Sequence, residues 1–204
     1  MKNLLPGCLV AIVMSASIIA CDSADKSATD DAANKDTMDM KMDNTMADNS
    51  PAFDHAMATV TGTMPDTTVE GTVKFDKTGE KVKMTLELTI PKMANKSVAV
   101  HLHETGECGD MGKHAMGHWN PTNEAHGKWG THPFHSGDIG NVSLDGNGKG
   151  TMEVETDVWS IGGVADKNVI NRALIVHSGV DDYTTQPTGN AGSRIGCGVI
   201  KEVN

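Results

Sequence analysis

The chain has 204 residues, room for one domain of ordinary size plus a tail. A formal net charge of −10 argues against a basic nucleic-acid-binding face, so no nucleic acid is expected as a partner. Aromatics at 3% and 22 glycines argue against a large aromatic-lined cavity and favour a loop-rich β protein with a small aliphatic core.

Met1-Lys2 opens the chain with a positive charge, and Leu4 to Ala20 is mostly apolar although Pro6 and Gly7 interrupt it. The run ends Ile18-Ile19-Ala20-Cys21 before polar Asp22-Ser23, which predicts a secretory signal over residues 1–20. Its end resembles the bacterial lipobox, and this resemblance implies that Cys21 carries lipid as the first residue of the mature chain. An ordinary signal with an incidental Cys21 is the other reading. Lipidation would anchor the protein to a membrane without a span. No internal apolar run reaches the ~18 residues a span needs. The expected location is the bacterial cell envelope, on the periplasmic side.

Residues 21–56 form the expected tether, rich in Asp, Ala, Asn, Ser and Thr and almost without branched aliphatics. Such a stretch buries too little apolar surface to offset its chain entropy. It holds Met38, Met40, Met42, Met46 and His55, with Met57 just beyond. Thioethers suit Cu(I), so a copper-collecting tail stands beside the plainer reading of a solvated linker.

The folded domain is expected over 57–204. Lys81 to Ile90 alternates polar and apolar, as a strand with one solvated face does. Thr67 to Phe75 alternates in part, with Asp76 to Gly79 as the hairpin connection. Ser97 to His103 reads as a third strand. Gly140 to Leu144 and Gly150 to Val158 flank the turn Asp145-Gly-Asn-Gly148. Arg172 to His177 and Ile195 to Val203 complete the set. No amphipathic helix is expected. Short strands with turn-rich connections predict an all-β sandwich or barrel. Between Glu104 and Gly137 lies an irregular segment with two Trp, one Cys and five His, a loop of the length that calls for a function.

If Cys8 leaves with the signal and Cys21 carries lipid, Cys108 and Cys197 remain as a single pair in an oxidising compartment. A disulfide is expected, with two buried thiols as the alternative. It would close a loop worth about 4–5 kcal/mol in the chain-entropy model.

His101-Leu-His103 ends a strand, so both imidazoles project to one face. His118, His126 and His135 follow in the loop, Asp138 lies three residues further, and His177 ends a later strand. Neutral imidazole suits copper and zinc, and a carboxylate suits zinc. His55, His114 and His132 read as solvated loop residues.

These segments resemble copper–zinc superoxide dismutase of the bacterial exported type. The matching pieces are His-Leu-His-Glu at 101–104, His-Trp-Asn-Pro at 118–121, His126-Gly127 and His-Ser-Gly-Asp-Ile-Gly-Asn at 135–141. His177 with Asp181-Asp182 and the run from Thr188 to Ile200 complete them. Departures are Ala99-Val100 before the first His pair, Trp119, and an insertion from Gly109 to Gly117. The resemblance implies an eight-stranded flattened Greek-key barrel, as monomer or homodimer. It implies copper on His101, His103, His118 and His177, cycling between Cu(II) and Cu(I). It implies Zn(II) on His118, His126, His135 and Asp138, with His118 shared. Asp181 would accept hydrogen bonds from His101 and His126. Superoxide would be the substrate, with His118 handling a proton and Arg194 attracting the anion; an arginine that only pairs with backbone carbonyls is the other reading of Arg194. A non-catalytic copper-delivery lipoprotein on the same fold is the alternative class, and it would be expected to lack some of these ligands or Arg194.

Overall fold

Alternation along Lys81–Thr89 buries Val82, Met84, Leu86 and Leu88 and leaves the residues between them facing water. The computed structural model describes residues 50–203. Its strands are β1 (Ser50–Ala52), β2 (His55–Gly62), β3 (Glu70–Thr78), β4 (Lys81–Thr89), β5 (Ser97–His103), β6 (Gly140–Ser143), β7 (Lys149–Thr156), β8 (Gly162–Gly163), β9 (Ala173–His177), β10 (Arg194–Val199) and β11 (Lys201–Glu202). Among the described residues the only helices are two 3₁₀ turns, Pro91–Met93 and Lys113–Ala115. The expectations for the leader, for Cys21 and for Met38, Met40, Met42 and Met46 fall outside the described residues.

Eight strands form one antiparallel sheet in the order β6-β5-β9-β10-β2-β3-β4-β7, with β11 extending β10 along β2. The Asp145–Gly148 turn joins the two ends of that order, so the sheet nearly closes into a barrel. The link from β4 to β5 passes over the β6–β7 hairpin, which gives the Greek-key connection. Val60, Val73, Phe75, Met84, Leu86, Val98, Val100, Leu102, Leu174 and Val176 fill the interior.

The wall formed by β5, β9 and β10 is the one that positions the site. Here both faces are buried. Val98, Val100 and Leu102 point into the barrel, whereas Ala99, His101 and His103 point outward under the loops. Register places His101 beside Ile175 and His103 beside Ala173, and pairs His177 with Arg194 across an irregularity in β10. The Cys108–Cys197 disulfide pins the long loop to this outer wall, where Ala115, Ala173 and Ile175 pack around it. Its sequence separation is 89 residues.

Several boundaries differ from the sequence reading. The strand expected from Thr67 starts at Glu70, because Thr67 N–H turns back to the Met64 carbonyl. β1 and β2 begin before residue 57, inside the stretch read as tether, since β1 pairs with β8 and β2 pairs with β3 from His55 onward. The connection expected over Asp76–Gly79 is the two-residue turn Gly79-Glu80, closed by Thr78 opposite Lys81. Gly79 takes φ 66° there, which a residue with a Cβ adopts only under strain. The strand expected over 195–203 breaks at Ile200, whose N–H bonds Arg172 O and whose carbonyl accepts from Asn171. The core is also less aliphatic than composition suggested, because Trp119, Trp159 and Phe75 are among its largest buried side chains.

Candidate metal centre

Six imidazoles and one carboxylate meet outside the β5–β9 wall. His101 and His103 come from β5 and His177 from the end of β9. His118, His126, His135 and Asp138 come from the long loop, and all seven are buried. The loop returns to the barrel because Trp119 exchanges backbone bonds with Leu102 and Gly137, and because the Trp159 indole N–H donates to Ser136 O at 2.9 Å. Arg172 stacks over Trp119 at 4.7 Å and donates to Glu104 O at 2.7 Å, which holds the start of the loop from outside.

Hydrogen bonds on the far side of each ring set its orientation. His101 Nε2 and His126 Nε2 donate to the two oxygens of Asp181, each at 2.9 Å. His103 Nδ1 donates to Met116 O at 2.9 Å, His135 Nε2 to Glu124 O at 3.1 Å, and His177 Nδ1 lies 3.4 Å from Gly192 O. With those nitrogens protonated, the others present lone pairs inward. His101 Nδ1, His103 Nε2, His118 Nε2, His126 Nδ1 and His177 Nε2 are buried without any hydrogen-bond partner. Unpaired buried polar atoms are rare, and five aimed into one region call for an electrophile. His118 alone uses neither nitrogen on an outside group, since its Nδ1 lies 2.7 Å from Asp138 Oδ1.

The donor atoms fall into two sets that share His118. His101, His103, His118 and His177 form one, and His118, His126, His135 and Asp138 the other, with ligand atoms inside each set within 4.8 Å of one another. The rings of His101 and His118 are 4.0 Å apart and those of His118 and His126 5.3 Å apart. Around Asp138, the nitrogens of His118, His126 and His135 lie at 2.7, 3.0 and 3.1 Å. Bonds of about 2.0–2.1 Å in a tetrahedron place donors about 3.3 Å apart, so this set fits zinc after a small expansion. The 3.0 Å contact of His126 Nδ1 with Asp138 is not aligned as a hydrogen bond, as expected of two donors aimed at a common centre. The four-imidazole set suits copper.

Electrostatics favour metal binding at three of the rings. Burial pushes the His118 imidazole down to about 4, against the pull of Asp138, and that of His177 down to about 3. Burial and the neighbouring His118 hold His103 well below its ordinary value. These rings are therefore neutral near pH 7, the form that binds metal. Burial raises the Asp138 carboxyl, but the imidazoles of His118, His126 and His135 against it outweigh burial and hold it far below the carboxylate range. Asp181 is lowered likewise by His101 and His126, against its burial. Burial lowers His126, yet Asp138 and Asp181 raise it to about 9, so near pH 7 this ring gives up a proton when its Nδ1 takes a metal.

Arg194 lies beside this cluster. It donates to Gly112 O at 2.5 Å and to Met116 O at 2.6 Å, and lines a surface pocket with Met64, Met111, Lys113, Gly192 and Ser193. Burial lowers its pKa, but a guanidinium stays charged near neutral pH. The three remaining histidines join neither donor set. His55 opens β2 rather than lying in a loop, 2.7 Å from Asp76. His114 lies 3.9 Å from Glu107, and His132 stacks on Phe134 at 4.6 Å.

Three supports had no side-chain signal in the sequence: the Met116 carbonyl, the Asn141 amide and the Gln186 amide. Asn141 pairs with the Asp181 backbone through bonds of 2.8 and 2.9 Å, and its place in the 135–141 segment was the only available clue.

A family model described as copper/zinc superoxide dismutase matches residues 69–200. The chain is 37% identical over 138 residues to the Cu-Zn superoxide dismutase of Paramecium bursaria Chlorella virus 1, covering 65% of this chain and 72% of that protein. It is 35% identical over 154 residues to the Cu-Zn superoxide dismutase of Candida albicans, covering 71% and 96% respectively. A solved structure of the clock protein EA4 superposes with a TM-score of 0.64 at 29% identity, over 74% of this chain and 96% of that one.

Proposed function

The chain belongs to the copper/zinc superoxide dismutase family, and we propose that it disproportionates superoxide with His118 as the ring shared between copper and zinc. His101, His103, His118 and His177 would hold copper; His118, His126, His135 and Asp138 would hold zinc. Copper supplies the one-electron chemistry between Cu(II) and Cu(I), while zinc supplies a fixed charge without redox change. The observation that carries the reading is the set of five inward, unpartnered nitrogens, with His118 making no bond outside the two sets.

The reaction turns two superoxide anions and two protons into oxygen and hydrogen peroxide. His118 is placed to hold and give a proton at Nε2, because that atom faces the four-imidazole set and bonds nothing else. Asp181 orients one ring of each set through its two oxygens, so it ties the two sets mechanically. Arg194 meets the substrate. Two of its five N–H donors are fixed on backbone carbonyls, which leaves others and the full charge for an anion arriving at the mouth. The chain carries −10 overall, so this local field must overcome a repulsive global one. The backbone-pairing reading of Arg194 is therefore observed, and the anion-attracting role proposed for it is compatible with that pairing.

The leader and Cys21 support export to the bacterial envelope as a lipid-anchored periplasmic enzyme, guarding that compartment.

The metal-loaded chain should consume superoxide. Cu(II) in the four-imidazole set and Co(II) in the other should couple magnetically through the shared ring. Separate, uncoupled signals would overturn the bridge, and a loaded chain without superoxide consumption would overturn the activity. Arg194→Ala should keep both metals, slow turnover and flatten its salt dependence; an unchanged rate removes Arg194 from the mechanism.

A further inference from the structure

The loop over 178–193 reaches residue 126 of the metal-bearing loop by three routes. Asp181 reaches the His126 ring, and the other two routes run through Gln186. His126 N–H donates to Gln186 Oε1 at 2.9 Å, and Gln186 Nε2 donates to His126 O at 2.9 Å. The side-chain amide thus copies the paired bonds of a β-bridge on a residue that belongs to no strand. Gln186 Nε2 also lies 3.4 Å from Thr184 O.

The turn that presents Gln186 is closed before it makes this contact. Asp182 accepts from the N–H groups of Thr184 and Thr185 at 2.9 and 2.8 Å, and from Thr185 Oγ1 at 2.6 Å. Asp182 N–H donates to Gly189 O, and Gly189 N–H to Thr185 O. The base of the loop is held by Asn141 on the Asp181 backbone. Little freedom remains for the loop to lose when the amide engages residue 126, so the contact acts on His126 and not on a slack tip.

We infer that Gln186 is a positioning residue for the zinc pocket: its amide grips the backbone of residue 126 and sets where His126 Nδ1 points. The inference rests on the assignment of His126 to zinc. Asp181 fixes the ring at Nε2 and Gln186 fixes the main chain below it, so together they leave the imidazole one direction for its free nitrogen. Losing the amide frees the backbone at 126 while the ring stays tied to Asp181, and Nδ1 then swings away from the other three donors.

The test uses the purified full chain with Gln186→Ala and Gln186→Glu. The glutamate keeps an acceptor for His126 N–H but sets an oxygen against His126 O. Zinc affinity is measured by chelator competition, and the cobalt-substituted pocket is followed by its visible spectrum. Unfolding of the metal-free chain is measured in parallel. Both variants should bind zinc about tenfold more weakly and shift the cobalt bands. A merely structural amide would lower the stability of metal-free and loaded protein alike and leave the affinity of the folded chain unchanged. Zinc affinity within twofold of wild type in Gln186→Ala, with an unmoved cobalt spectrum, overturns the inference alone. A wild-type chain that takes up neither zinc nor cobalt overturns the metal assignment and the inference with it.

Discussion

Met116 offers a measurement of strain held beside the site. It sits at φ 64° and ψ −147°, a backbone region used almost only by glycine. Its carbonyl accepts from His103 Nδ1 at 2.9 Å and from Arg194 Nη2 at 2.6 Å, and the distorted backbone aims that oxygen at both donors. Such a conformation costs about 1–3 kcal/mol for a residue with a Cβ. Met116→Gly removes that term and keeps the carbonyl. Against it stands the greater freedom of glycine in the unfolded chain, about 0.4–1 kcal/mol. The side chain is 59% exposed, so little packing is lost. The expected net gain is about 1 kcal/mol, which for a folded portion of this size raises Tm by about 2–4 °C. Urea unfolding of oxidised wild type and variant in the same metal state is the assay, with the midpoint read at constant m-value. A midpoint at or below that of wild type would refute the strain argument.

Gly189→Ala should weaken both metals, about 10–100-fold by chelator competition, because a Cβ there overlaps Asp181 Oδ1 and comes within 2.6 Å of His126 Nε2; unchanged affinities would show that the bridging carboxylate does not matter. Replacing Cys108 and Cys197 by Ser should lower stability by about 2–5 kcal/mol in denaturant titration and speed zinc loss before the barrel unfolds. Zinc retained in a folded double variant would count against that order of events. The Asp182 carboxyl should titrate near 2, held down by its bonds from Thr185 and Thr184. The stabilisation is present above the ordinary value of 3.8 and is lost as pH falls through about 2; a carbon-13 NMR midpoint near 3.8 would contradict it.

Legibility in the sequence followed the range of the physics. Lys81–Thr89 was readable because a strand with one wet face repeats every two residues. His101 and His103 were readable for the same reason, since their spacing alone puts them on one side. β9 gave a weaker signal: Ala173 to His177 is buried throughout, because loops cover its outer face, and a buried run has no alternation to find. β2 was missed since His55–Gly62 is mostly small and polar, and its pairing with β3 is a long-range fact. The convergence of the seven donor residues was not carried by spacing; the family resemblance suggested it and the fold displays it. Met116 was invisible for another reason, because what it contributes is a backbone oxygen that every residue possesses.

The imidazoles stand on the exterior of the β5–β9 wall, and the hydrocarbon packing lies on the other side of the same strands. One sheet therefore acts as a partition. Replacements among Val98, Val100, Leu102, Leu174 and Val176 can drift in shape and volume while the ring side keeps its pattern, since successive side chains of a strand never share a room. Descendants of such a chain could change their interior wholesale and still inherit the same chemistry, provided the partition stays upright.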